Sequence, residues 1–185
     1  MLTRELSLEE KAALAPKNGG RVIPPLRLNL GCGADWMGGG VVNMDCRNLL
    51  PPDGMTFLRA DVADLRDMFA DGAAAEIWAK DVLEHVPQVK AGAVLDEWIR
   101  LLAPGGLLHL KTPDLQALAR FILEGRASDE VKAYRVYGGQ DYAENFHRAG
   151  FTVAMLSAML TVRGMEIVSA KGHEGTNLLI TARKR

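Results

Sequence analysis

The chain has 185 residues, of which 48% are hydrophobic, and its formal net charge is −1. This length and apolar content suit one domain with a substantial core, and a charge near zero excludes any general attraction to nucleic acid or to an anionic membrane. The two cysteines, Cys32 and Cys46, form neither a metal-type CxxC pair nor a disulfide framework, so we expect a reduced, cytoplasmic protein.

The first 25 residues predict a short helix and a linker. Ser7–Glu10 has the capping-box pattern, which predicts a helix to about Leu14. The prolines and glycines between Pro16 and Pro25 are typical of a linker. The charged N-terminus lacks the apolar core of a signal peptide, and no stretch predicts a membrane span. We therefore expect residues 1–25 to precede one domain over residues 26–185.

From Leu26 onward, predicted strands and helices alternate. The predicted strands are Leu26–Leu30, Val41–Met44, Met55–Arg59, Ala75–Ala79, Leu107–Lys111, Met165–Ala170 and Asn177–Ala182. The predicted helices are one or two turns in Val62–Phe69, Val89–Leu102, Leu115–Leu123, and a helix from the cap Thr152 to Val162. The segment Glu124–Arg148 is polar and less regular. The close join of the last two strands requires them to be antiparallel. The pattern predicts an α/β fold with a doubly wound, mostly parallel seven-stranded sheet and an antiparallel terminal strand pair.

The most informative stretch runs from Leu26 to Asp45. A buried-type strand ends at Gly31-Cys32-Gly33, and the next strand ends on the carboxylate of Asp45. In a parallel sheet this order holds an adenosine-containing cofactor, because glycines let the backbone approach the ligand and the acid accepts hydrogen bonds from ribose hydroxyls.

The spacing within this stretch argues against a dinucleotide. That fingerprint needs a third glycine where Trp36 lies, and a full helix before the acid. Asp45 follows Gly33 by only 12 positions, and three of them are glycines at positions 38–40. The helix N-terminus that would bind a pyrophosphate is therefore missing. This favours S-adenosylmethionine, a cofactor without phosphates, and disfavours a nicotinamide-dependent dehydrogenase.

Five blocks of the chain resemble, in order, those of class I S-adenosylmethionine-dependent methyltransferases. They are NLGCG at Asn29–Gly33, VVNMD at Val41–Asp45, RADV at Arg59–Val62, DVLEHVP at Asp81–Pro87 and LLAPGGLLHLKTPD at Leu101–Asp114. The resemblance implies the Rossmann-like methyltransferase fold. The GGQ…FH segment, Gly138–His147, is similar to that of small bacterial methyltransferases associated with saccharide biosynthesis. Asn29 departs from the family, in which many members have an acid there.

The resemblance also implies roles for the cofactor residues. Asp45 would accept the ribose hydroxyls, Asp61 would accept from the adenine amino group, and the Val62 N–H would meet a ring nitrogen. The alternative for Asp61 is an N-cap, a common role for aspartate. The full predicted cofactor set is Asn29, Gly31, Cys32, Gly33, Asp45, Asp61, Val62 and Ala79.

Asp81, Glu84 and His85 have the i, i+3, i+4 spacing that would place them on one helix face. They could bind a divalent metal, as an E-x-x-E-H block does in some RNA and quinone methyltransferases. Alternatively, Glu84 satisfies backbone donors and His85 packs beside the cofactor. We favour the second reading and expect no metal.

His147 is the stronger candidate for a base, since histidine can take a proton near neutral pH. The alternative is a structural histidine bonded to loop backbone. Gln140, Asn145 and Arg148 offer donors to a hydroxylated or anionic acceptor.

The predicted catalytic set is therefore His147, His85 and Asp81, acting in O- or N-methylation of a small-molecule or saccharide acceptor. The alternatives are a non-catalytic cofactor-binding module and, less favoured, a nucleic-acid methyltransferase.

Overall fold

The structure is a computed structural model that describes residues 25–125, 127–173 and 175–185. The predicted helix from Ser7 to Leu14 and the linker after it lie outside these residues. Among the described helices, none is both long and apolar enough to cross a bilayer.

Seven strands form one sheet in the order β3-β2-β1-β4-β5-β7-β6. The strands are β1 Leu26–Leu30, β2 Val42–Asp45, β3 Thr56–Arg59, β4 Ala74–Lys80, β5 Leu102–Pro113, β6 Met165–His173 and β7 Asn177–Lys184. All neighbours pair in parallel except β7, which is antiparallel to both β5 and β6. This confirms the predicted mostly parallel, seven-stranded, Rossmann-like sheet with its antiparallel terminal pair.

Four described helices accompany the sheet: α1 Ala91–Leu101, α2 Leu115–Leu123, α3 Asp129–Tyr137 and α4 Val153–Thr161. Two 3-10 turns, Leu83–His85 and Gln88–Lys90, precede α1. The core lies on one sheet face, where Leu28, Ile77 and Leu108 are register neighbours and fully buried. Helices α1 and α4 pack on this face, because their apolar side chains belong to the same buried cluster.

The one or two helical turns predicted within Val62–Phe69 appear as separate turns and do not join into a helix. Hydrogen bonds from Asp64 N to Asp61 O and from Met68 N to Leu65 O close these turns. Aspartates weaken helices because their side chains compete for backbone groups, as Asp61 does here by accepting from Ala63 N.

Helix α3 lies inside the segment that the sequence predicts to be irregular. Ser128 caps it, with its Oγ accepting from Val131 N at 3.4 Å. No side chain of α3 is buried, so the sequence offers no apolar periodicity to reveal this helix.

The connection from β1 to β2 contains no helix, as expected from its glycines. Two buried asparagines hold it instead. Asn29 Nδ2 donates to Asp35 O at 2.7 Å and to Asn43 Oδ1 at 2.9 Å, and Asn43 Oδ1 also accepts from Met37 N at 2.9 Å. These hydrogen bonds hold the loop at the carboxyl edge of the sheet, where parallel strands present ligand-binding residues.

Candidate functional site

The glycine turn and the acid at the end of β2 meet at the carboxyl edge of the sheet. Asp45 is only 5% exposed, and its Oδ2 accepts a hydrogen bond from Gly33 N at 3.0 Å. Gly33 has φ +51°, a conformation that glycine adopts without strain. The two features that the sequence predicts to act together are thus in direct contact.

Arg47 donates the other hydrogen bonds that the Asp45 carboxylate accepts from nitrogen. Oδ1 accepts from Arg47 N at 2.9 Å and from Nε at 3.1 Å, while Nη2 lies 3.3 Å from Oδ2. Burial raises the pKa of Asp45, but the hydrogen bonds from Arg47 and Gly33 outweigh it and hold the pKa below its ordinary value. Asp45 is therefore a charged acceptor at neutral pH.

The glycine turn is open around Gly33. Among the described residues outside the turn itself, a Cβ built on Gly33 would come within 4 Å of only the Arg47 Nη2 atom, at 3.5 Å. A buried carboxylate beside an open glycine turn suits a ribose with its two hydroxyls.

Backbone conformation and packing both require a glycine at position 31. It has φ +62°, and a Cβ there would lie 2.5 Å from Val82 Cγ2. The segment after β4 therefore packs directly against the turn. Cys32 between the two glycines is buried, and burial raises the pKa of its thiol to about 12, so the thiol is neutral.

The remaining predicted cofactor residues lie at different depths. Asp61 is exposed and follows β3, next to β2, where Asp45 pairs with Arg59. Its carboxylate accepts from Ala63 N at 2.9 Å and so closes a turn, where the capping alternative expects the start of a helix. The Val62 carbonyl accepts from Trp98 Nε1, and Ala79 is buried in the core. The Asn29 amide is engaged in the β1–β2 loop, as described above.

Asp81 does not share a helix face with Glu84 and His85. It has φ +55°, and the chain after it forms a 3-10 turn over Leu83–His85. Its exposed carboxylate lies 2.9 Å from Lys111 Nζ at the end of β5. The spacing argument fails here because it assumes an α-helix that begins at Asp81.

Glu84 is 2% exposed, and its Oε2 has no hydrogen-bond partner among the described residues. Burial raises the pKa of this carboxyl to about 8. The Glu84 carbonyl accepts from Arg148 N at 2.7 Å and from Ala149 N at 3.0 Å. This turn is therefore fastened to the chain around His147, and it is the backbone oxygen of Glu84 that satisfies backbone donors.

The structure brings His85 and His147 together from positions 62 residues apart in the sequence. Their ring centroids are 5.1 Å apart at 63°, and His85 Nδ1 lies 3.1 Å from Phe146 O. Burial lowers the pKa of both imidazoles, and for His147 the charge of His85 acts in the same direction. A neutral imidazole is the form that can accept a proton.

A glycine at position 138 lets the chain pass close to His147 and Asn145. Gly138 has φ +79°, and a Cβ there would lie 2.9 Å from His147 Cδ2 and 2.5 Å from Asn145 O. Gly138 begins the loop over residues 138–148, which we call the acceptor loop. Two of its predicted donors bind within the loop: Arg148 Nη2 donates to Ala143 O, and Asn145 Nδ2 donates to Asp141 Oδ1.

The acceptor loop also reaches the Asp45 side of the site. The Arg47 guanidinium carbon lies 4.3 Å from the centroid of the Tyr142 ring, a cation–π contact. The sequence reasoning missed both Arg47 and Tyr142. The only available signal was a basic residue two positions after the predicted ribose acid.

Comparison with known proteins agrees with this architecture. The sequence model of a methyltransferase domain matches residues 41–110. A search of curated proteins finds no match. Among solved structures, an S-adenosylmethionine-dependent methyltransferase from Mesorhizobium loti is similar at 20% identity and a TM-score of 0.61. That similarity covers 95% of this chain and 96% of the other.

Two further structures share the fold. One is the 1,6-didemethyltoxoflavin-N1-methyltransferase from Burkholderia thailandensis with 1,6-didemethyltoxoflavin and S-adenosylhomocysteine bound (19% identity, TM-score 0.58, covering 87% of this chain and 71% of the other). The other is the [4+2]-cyclase SpnF (14% identity, TM-score 0.57, covering 88% and 76%). These likenesses establish the fold, which hosts more than one chemistry.

The matched methyltransferase domain covers residues 41–110, and the sheet and its helices have the fold that S-adenosylmethionine-dependent methyltransferases share.

Proposed function

We propose that this chain is an S-adenosylmethionine-dependent methyltransferase, and that it methylates an oxygen or nitrogen of a small-molecule or saccharide-type acceptor. The acceptor binds between the ends of β4 and β5 and the acceptor loop. The observation that carries this proposal is that one loop contacts both sides of the carboxyl edge. Tyr142 stacks on Arg47 beside Asp45, and His147 packs against His85 after β4. A molecule held under this loop lies between the cofactor residues and the histidine pair.

Asp45, Asp61 and the glycine turn would hold the cofactor. In this assignment the ribose hydroxyls donate to Asp45 and replace the side-chain hydrogen bonds of Arg47, while the bond from Gly33 N remains. Asp61 and the Val62 N–H receive the adenine, and the backbone of Gly31 and Gly33 leaves room for the methionyl part. Asn29, Cys32 and Ala79 support the turn and the strand from behind, because their side chains are buried.

When bound, the cofactor supplies a methyl group already activated by a sulfonium charge. The protein then has to align the acceptor and exclude water, since orientation provides most of the acceleration. Neutral His147 takes the proton of an acceptor hydroxyl, and His85 orients it through the ring contact and its bond to Phe146 O. Asp81, exposed beside Lys111, stays a predicted catalytic residue that would orient the acceptor.

The acceptor class rests on three supports. The acceptor loop resembles the GGQ…FH segment of saccharide-associated methyltransferases. The B. thailandensis neighbour carries a small molecule beside S-adenosylhomocysteine. The net charge of −1 disfavours nucleic acid. The cytoplasmic location stays a prediction.

Transfer of a labelled methyl group to panels of monosaccharides, nucleotide sugars, small amines and total RNA tests this proposal. We expect label on a hydroxylated small molecule. Labelled RNA, with no small molecule labelled, would overturn it. Cofactor binding without any transfer, across panels that label a control methyltransferase, would instead support the non-catalytic module.

A further inference from the structure

We propose that Glu84, His85 and His147 bind a divalent transition metal ion of the Zn²⁺ or Co²⁺ type. Each of the three side chains offers one ligand atom, and these atoms all lie within 4.8 Å of one another. Two imidazoles and one carboxylate form a ligand set suited to such ions, and they leave a coordination position open. The ligands come from the turn after β4 and from the acceptor loop.

The buried carboxylate of Glu84 gives independent support. Its Oε2 is buried without a hydrogen-bond partner among the described residues. A buried polar oxygen without a partner is costly, and a cation coordinated there removes that cost. The Thr112 hydroxyl, which acts to lower the pKa of Glu84, is likewise buried without a full hydrogen bond, so a cation and this hydroxyl would share the carboxylate.

The contacts of His85 are those of a metal ligand. His85 Nδ1 lies 3.1 Å from the carbonyl oxygen of Phe146, so Nδ1 carries the proton that it donates there. The lone pair then resides on Nε2. Histidines that bind metals usually donate their other ring N–H to a carbonyl or carboxylate in this way, which fixes the tautomer and the ring orientation.

The backbone keeps the ligands together. The Glu84 carbonyl accepts from the backbone N–H groups of Arg148 and Ala149, which follow His147 directly. Ligand atoms around tetrahedral Zn²⁺ at about 2.0–2.1 Å stand roughly 3.4 Å apart. The ligand atoms, which lie within 4.8 Å of one another, must therefore approach by up to about 1.4 Å, which rotamer adjustment allows. Asp81 stays outside the group because it pairs with Lys111.

This inference rests on the cluster itself and does not depend on the proposed acceptor. It has one chemical consequence for that proposal. An ion on His147 takes the lone pair that a base needs, so in a given molecule His147 is either a base or a ligand. A metal-loaded enzyme would lower the pKa of an acceptor hydroxyl by coordination instead.

Tag-free protein is first treated with a chelator to remove bound metal. Binding of Co²⁺ is then measured by visible absorption, and binding of Zn²⁺ by calorimetry. We expect one ion per chain, Co²⁺ bands typical of nitrogen and oxygen ligands, and a Tm that rises with metal concentration. His147→Asn and Glu84→Gln should weaken binding by at least about a hundredfold. His109→Asn, in β5 and bonded to Glu76 and Thr181, is the matched control and should bind as the parent does.

Absence of stoichiometric binding by the parent protein overturns the proposal, and this readout does not depend on any variant folding. Unchanged binding by a His85→Asn, His147→Asn double variant also overturns it. S-adenosylhomocysteine binding is measured on the same samples. Cofactor binding without metal binding removes the metal site alone, whereas metal binding without cofactor binding contradicts the proposed enzyme class alone.

Discussion

Asp45 and Arg47 form a two-point ion pair at the place that we assign to the cofactor ribose. Nε lies 3.1 Å from Oδ1, and Nη2 lies 3.3 Å from Oδ2. The Arg47 side chain is one-third exposed, whereas that of Asp45 is 7% exposed. The arginine is therefore the partner that can leave, and the carboxylate is the fixed part of the site.

Loss of this carboxylate should weaken cofactor binding. Hydrogen bonds to charged groups contribute about 1.5–3 kcal/mol, so Asp45→Ala should raise the Kd for S-adenosylhomocysteine roughly tenfold to a hundredfold. Calorimetry on the folded variant measures this. Asp53→Ala, which removes an exposed carboxylate before β3, is the control and should bind as the parent does. An unchanged Kd for Asp45→Ala would show that the residue does not face the ribose.

Removal of Arg47 should have the opposite effect. The ribose hydroxyls must displace its guanidinium from Asp45, and a partly exposed ion pair contributes about 0–1 kcal/mol. Arg47→Ala should thus tighten S-adenosylhomocysteine binding by up to about fivefold, while Arg47→Lys should change it less. Weaker binding by Arg47→Ala would mean that the guanidinium itself contacts the cofactor.

The Asp45 ion pair also predicts a pH dependence of stability. Because the pKa of Asp45 is held below its ordinary value of 3.8, its charged form stabilises the fold above that value. This stabilisation is lost as the pH falls through the lowered pKa. The free energy of unfolding, measured in urea between neutral pH and pH values below 3.8, should fall more steeply for the parent than for Asp45→Asn. Parallel pH profiles for the two proteins would contradict the assignment.

Gly31 should matter for folding before it matters for the cofactor. Gly39 has φ +66°, and no atom of the described part of the chain lies within 4 Å of a built Cβ, so Gly39→Ala isolates the backbone strain, roughly 1–2 kcal/mol. Gly31→Ala adds a clash with Val82 and should lower the free energy of unfolding by a further 1–3 kcal/mol, roughly. Equal losses for the two variants would show that Val82 can move aside freely.

His147→Ala should leave cofactor affinity nearly intact and slow transfer by roughly a hundredfold or more, the usual range for a positioned base. His85→Ala removes the ring contact that orients His147, so it should also slow transfer, by less than His147→Ala does, and leave cofactor affinity nearly intact. Single-turnover rates with a labelled acceptor and cofactor titrations compare the two variants. A parent-like rate for His147→Ala would identify a structural loop histidine.

The parts of the site that the sequence could predict are those built by consecutive strands and the short loop between them. The Gly33–Asp45 contact follows from two adjacent parallel strands, whose ends must meet at one edge. The pairing of His85 with His147 depends instead on how the acceptor loop folds back onto Glu84, which no local pattern encodes. Asp81 lies apart from Glu84 and His85 because three residues at helical spacing share a face only where the backbone is α-helical.

The most direct test of the cofactor assignment is calorimetry of the parent protein with S-adenosylhomocysteine and with NAD. The loop between Gly31 and Asp45 contains no helix N-terminus for a pyrophosphate. We predict one S-adenosylhomocysteine bound per chain, displaced by S-adenosylmethionine, and no comparable affinity for NAD. Tight NAD binding together with no binding of either S-adenosyl compound would contradict this account.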